Sequence, residues 1–120
     1  MLTLICGIPN AGKTTKYPNA LHLDEIGFIQ TARELIKNMN EDVIIEGVFA
    51  KPEQRKAICT AYNGFTKCIF IDIPINESIR RETRNRPDWL LRNVVEHFEP
   101  PTCSEGWDEI EIIKWEENIR

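Results

Sequence analysis

The chain has 120 residues, 42% of them hydrophobic and 28% charged, with a formal net charge of −4. That length predicts one domain able to bury its own core, with no room for a second module. The composition is that of an ordinary globular protein, no apolar run reaches the length of a membrane span, and the acidic balance argues against a generic nucleic-acid coat.

The charge is uneven. Residues 99–120 carry seven acids and two bases, whereas residues 1–98 carry twelve acids and thirteen bases. Within that nearly neutral body, Arg80, Arg81, Arg84, Arg86 and Arg92 concentrate positive charge where an anionic ligand could dock. The four cysteines form no C-x-x-C pair. Free thiols, and an apolar start with no basic leader, predict a cytoplasmic protein.

In chain order, Leu2 to Cys6 is a short apolar run that stops at Gly7 and reads as a buried strand. Gly7-Ile8-Pro9-Asn10-Ala11-Gly12-Lys13-Thr14 then matches G-x-x-x-x-G-K-[ST] at every fixed position. Two glycines let the backbone approach oxygen atoms that a Cβ would keep away. The amides from Asn10 to Thr14 can then converge on β- and γ-phosphates, helped by the dipole of the helix opening at Gly12. Lys13 supplies a full charge to the transferring phosphoryl group, and the Thr14 hydroxyl is a ligand for Mg²⁺. ATP and Mg²⁺ are therefore the expected ligands.

Pro18 limits that helix to about a turn and a half. Residues 20–24 read as a second strand ending on Asp24. Ile29, Ala32, Leu35, Ile36 and Met39 recur at helical spacing over residues 28–38. Residues 42–46 form a third strand, apolar on consecutive positions and so expected to be covered on both faces. Pro52 opens a helix that Asn63-Gly64 stops. Lys67 to Ile73 is a fourth strand closed by Pro74, and Asn76 is expected to cap a helix running to about Thr83. Pro87 to Phe98 is an amphipathic helix, and residues 108–115 resemble a final edge strand. Strands alternating with helices predict a parallel α/β sheet with helices on both faces.

In such sheets the ligand crevice lies at the carboxyl ends of the strands, where Asp24, Glu46 and Asp72 fall. Asp24 is the expected general base for an acceptor hydroxyl, with a helix cap as its bland alternative. Glu46 and Asp72 each end an apolar strand, so either is a candidate to hold Mg²⁺ through water. Arg80 to Arg86 read either as a solvated helix face, with Glu77/Arg81 and Glu82/Arg86 at i,i+4 spacing, or as a lid closing over phosphates. Arg84 and Arg86, close to Pro87, are the expected lid contacts ahead of Arg80 and Arg81.

Taken together these residues resemble the polynucleotide-kinase-like branch of P-loop kinases, over nearly the whole chain. Gly7 to Thr15 is similar to the family's P-loop, and Leu23-Asp24-Glu25 to the segment of its general base. Val43 to Gly47 with Pro52-Glu-Gln-Arg55 is similar to its third strand and following helix. Asp72-Ile-Pro74 and Arg81 to Arg86 resemble its fourth strand and arginine lid, and residues 98–102 with 105–110 its C-terminal signature. The resemblance implies a P-loop NTPase fold with strand order 2-3-1-4-5, and an ATP- and Mg²⁺-dependent transfer to a hydroxyl acceptor. That acceptor is either a 5′-hydroxyl of nucleic acid or a small molecule. Gly27 stands where the family often has an acceptor-side arginine, Gly47 stands where an aspartate is common after the third strand, and the helices after the P-loop and after Asp24 are short. A nucleotide-binding switch without phosphotransfer, or an interaction module using the acidic tail with Trp107 and Trp115, are the rival readings.

Overall fold

The computed structural model describes residues 1–23, 27 and 29–114. Five strands, β1 (Leu2–Cys6), β2 (Leu21–His22), β3 (Val43–Glu46), β4 (Thr66–Asp72) and β5 (Glu109–Lys114), form one parallel sheet in the order β2-β3-β1-β4-β5. Between them lie α1 (Lys13–Lys16), α2 (Ile29–Lys37), α3 (Pro52–Ala61), α4 (Ile75–Arg80) and α5 (Asp88–His97), with a 3-10 turn at Cys103–Glu105. The chain leaves β1 over β3 to reach β2, then works back across the sheet. The loops after β1 and β3 therefore meet at its carboxyl edge, where the strand order reverses.

Alternation along the strands divides the core in two. Leu2, Leu4 and Cys6 of β1 join Val43, Ile45, Cys68 and Phe70 on one face, against Ala32 and Ile36 of α2 and Ile58 and Cys59 of α3. Ile5, Ile69 and Ile71 point the other way, to Ile8 and Ala11 of the loop after β1 and to Tyr17, which ends α1. Phe98 stacks on Phe70 with ring centroids 5.2 Å apart.

Three expectations need correction. β3 is not covered on both faces: Val43 and Ile45 are buried but Ile44 is 36% exposed. The cause is α1, which ends at Lys16 ahead of Pro18 and spans only about 6 Å at 1.5 Å per residue. Asn76 does not cap α4. Pro74 holds that position with extended backbone, and the helix closes at Arg80, short of Thr83. β2 is two residues long rather than five, because it pairs only with Ile45 and Glu46.

One buried ion pair organises the first turn of α3. Arg55, fully buried, donates from Nε and Nη2 to the two carboxylate oxygens of Glu105, both at 2.8 Å, and from Nη1 to the Phe49 carbonyl at 2.7 Å. Glu105 also accepts from Trp107 Nε1 at 3.2 Å and from the Thr102 N–H at 3.1 Å. Burial works against both charges, and the bidentate pairing outweighs it, so the Arg55 pKa is raised and that of Glu105 lowered. Thr102, Glu105 and Trp107, from the two segments 98–102 and 105–110 read as a family signature, thus form the socket for Arg55.

Candidate functional site

A cleft of about 660 Å³ opens at the carboxyl edge of the sheet, lined by residues 9–16, by Glu46, Gly47 and Val48 after β3, and by Arg81, Arg84 and Arg86. Its geometry begins with the loop after β1. A Cβ on Gly7 would sit 2.8 Å from the Ile71 carbonyl oxygen, so only glycine lets this strand end so close to β4. Asn10 at φ 66 and Gly12 at φ 90 take left-handed conformations that turn the chain into α1. The first helical hydrogen bonds run from Lys16 to Gly12 and from Tyr17 to Lys13. The N–H groups of Gly12 to Thr15 therefore have no acceptor within the helix, leaving a nest of donors at the cleft.

Lys13 is buried against this loop, its ammonium donating to the Gly7 carbonyl at 2.6 Å and the Ile8 carbonyl at 3.1 Å. Gly7 and Ile8 thus act through their carbonyls, and neither lines the cleft. The Gly7 N–H goes to the Val48 carbonyl at 3.3 Å, tying the loop to the segment after β3. Thr14, Thr15 and Lys16 are exposed within the cleft.

The arginine segment is docked on the loop rather than hanging over it. Asn10 donates from Nδ2 to the Ser78 carbonyl and to Glu82 Oε1, both at 2.9 Å, and its Oδ1 accepts from Arg86 Nη2 at 3.3 Å. Ser78 Oγ donates to the Pro9 carbonyl at 2.7 Å, and Arg81 Nη1 to the Asn10 carbonyl at 3.1 Å. Arg86 grips Glu82 through Nε and Nη2. That guanidinium, then the Asn10 amide, pulls the Glu82 carboxyl down to about 2. Arg84 lines the cleft and has no hydrogen bond or ion pair among the described residues. Arg80 points away, paired with Glu77 at 2.6 Å. Arg81, ranked behind Arg84 and Arg86 in the sequence, therefore lines the cleft with them, while Arg80 does not.

The three strand-end carboxylates part company. Glu46 is buried at the cleft wall, and its Oε1 is 2.5 Å from His22 Nδ1. Asp72 is exposed, pairs in register with Lys114 and is not among the cleft residues. Asp24 lies outside the described residues, as does Trp115. Sequence reasoning also missed Ser78, Val48 and the loop-binding role of Glu82. The Glu82/Arg86 spacing was visible, but it was equally that of a solvated surface pair.

Among the described residues that line the cleft, Lys13, Lys16, Arg81, Arg84 and Arg86 stand with one carboxylate, Glu46, so a chain of net charge −4 holds a cationic lining there. Such a site suits a polyphosphate. For a hard divalent cation the Thr14 hydroxyl and the Glu46 carboxylate are oxygen donors at the same cleft. That small donor set fits Mg²⁺, which keeps waters and takes its remaining ligands from phosphates.

No protein-family model matches the chain, and no curated protein matches it. Among solved structures it is similar to a gluconokinase from Sinorhizobium meliloti 1021, with a TM-score of 0.69 and 13% sequence identity, over 93% of this chain and 81% of that one. At that identity the likeness establishes the fold, which is that of a P-loop kinase. It does not single out the polynucleotide-kinase-like branch. No helix among the described residues is long and apolar enough to cross a membrane.

Proposed function

We propose that this chain is an ATP- and Mg²⁺-dependent phosphotransferase whose acceptor is the hydroxyl of a small molecule. The observation that carries the reading is the cleft itself: a loop whose amides lie ahead of the first helical hydrogen bonds, a buried lysine and three arginines, with a buried carboxylate in the same lining. Phosphoryl transfer needs little covalent chemistry from the protein, only positioning and charge placed in advance. The amides of Gly12 to Thr15 would hold the phosphates, with Lys13 against the transferring group. Arg84, uncommitted, would swing onto it, while Arg86 and Arg81, in the same cleft wall, brace the loop through Asn10. Thr14 and Glu46 would hold the magnesium ion, which neutralises charge on the phosphates when bound. Asp24 keeps its role as the proposed acceptor-side base from its place two residues beyond β2.

A small acceptor is preferred over a 5′-hydroxyl polynucleotide for a physical reason. Lys13, Lys16, Arg81, Arg84 and Arg86 line one cleft of about 660 Å³, a site of small-molecule size, in a chain whose net charge of −4 disfavours a long polyanionic strand. The neighbour's name, that of a small-molecule kinase, supports the same class.

The test is incubation with γ-labelled ATP and magnesium against a panel of polyols, sugar acids, nucleosides and 5′-hydroxyl oligonucleotides, with Lys13→Ala as control. Label is expected on a small alcohol and absent with the variant. Tight ATP binding without label on any acceptor would point instead to a nucleotide-binding switch. Label on oligonucleotides alone would restore the nucleic-acid reading.

A further inference from the structure

His22 is not among the residues that line the cleft, yet the sheet sets it against one that is, Glu46. β2 and β3 pair in parallel with His22 directly opposite Glu46, at the last position of each strand. The two side chains meet there, His22 Nδ1 to Glu46 Oε1 at 2.5 Å. Glu46 is 7% exposed and lines the cleft. Among the described residues, no buried side-chain oxygen lacks a hydrogen-bond partner, and His22 is the partner Glu46 has. Its second oxygen is therefore the part that reaches the cleft. β3 lies beside β1, so this oxygen stands one strand over from the P-loop, opposite the cationic wall formed by Arg81, Arg84 and Arg86.

We propose that His22 is a positioning residue for phosphoryl transfer, holding one Glu46 oxygen so that the other faces the reacting groups. The physical need is specific to this cleft. A carboxylate among Lys13, Lys16 and three arginines is drawn toward them, and there it competes with phosphate for the same cations. The His22 hydrogen bond ties one oxygen to β2, on the side away from those cations, and selects the rotamer that leaves them to the nucleotide. The claim rests on the phosphotransferase reading above.

The experiment compares His22→Leu, which removes the donor, with His22→Asn, whose amide nitrogen falls near the position of Nδ1. Transfer kinetics, calorimetric binding of magnesium ATP and thermal melting are measured for each. His22→Leu is expected to lower kcat by about 10- to 100-fold, the range for a displaced reactive group, with the nucleotide Kd within about threefold of wild type. His22→Asn is expected to recover most of that loss. In parallel, the ring N–H resonance of His22 is followed by NMR, which is tractable because His97 is the only other histidine. It should shift in Glu46→Gln while that of His97, bonded to the Asn93 carbonyl, does not. Unchanged kcat in His22→Leu, no recovery in His22→Asn, or a parallel loss of melting temperature and nucleotide binding each overturns the proposal. A wild-type chain that labels no acceptor overturns the phosphotransferase reading and this role with it. An active wild type with an indifferent His22 overturns the role alone.

Discussion

Replacing Glu105 by Gln keeps the shape of the side chain and removes its charge, at a site where Arg55 is wholly buried and held by two 2.8 Å hydrogen bonds. One of the two oxygens becomes a donor facing a guanidinium, and the cation is left uncompensated in the interior. Breaking a buried pair from one side costs about 3–5 kcal/mol. A domain of this size gains about 2.1 cal/mol/K of entropy per residue on unfolding, so each kcal/mol moves Tm by roughly 4 °C and the variant should melt about 12–20 °C lower. The double variant Arg55→Met with Glu105→Leu should lie much closer to wild type, because both desolvation penalties vanish together. Thermal and urea melts of the three proteins decide the matter. The pH dependence has a fixed sign. The folded pKa of Glu105 lies below its ordinary value of 4.5, so its contribution is present above that value and is lost as pH falls. A Glu105→Gln shift below about 4 °C, or a double variant as unstable as the single one, would refute the reasoning.

Gly47→Ala should destabilise by about 1–3 kcal/mol in urea melts, the cost of overpacking. Its Cβ would sit 2.8 Å from Leu23 Cβ and 3.0 Å from the Phe49 ring. Glu82→Gln should flatten the part of the stability–pH curve between about 4.5 and about 2. The depressed Glu82 carboxyl contributes above its ordinary value, and that contribution disappears as acid protonates it away from Arg86. Arg84→Ala should leave stability within about 0.5 kcal/mol of wild type while lowering transfer by about 10-fold or more. Arg86→Ala should lower both, because it also releases Glu82 and Asn10.

The docking of residues 78–86 changes how the arginine segment is read. A flexible lid is what a run of arginines before a proline suggests, yet Asn10, Ser78, Glu82 and Arg86 tie its base to the P-loop. Arg84, at the exposed turn beside Asn85 with its positive φ of 59, is the member placed to move. The neighbouring Arg81 and Arg86 are instead tied to Asn10 and Glu82.

By itself the sequence determined the P-loop, the strand-helix alternation and the carboxyl-end location of Glu46 and Asp72. Each of those is local: Gly7, Gly12 and Lys13 act within eight consecutive residues, and a buried strand is recognised from its own run of apolar side chains. The order β2-β3-β1-β4-β5 came through resemblance, since register between distant strands is not written in either strand alone. Only the tertiary structure decided which of two equivalent strand-end acids, Glu46 or Asp72, enters the cleft, and which arginines are pinned and which is free. It alone put His22 against Glu46, 24 residues apart, and Arg55 against Glu105, 50 residues apart. Those choices depend on where separate segments cross, and a buried charge or a shared carboxylate becomes visible only when the partner that satisfies it is brought alongside.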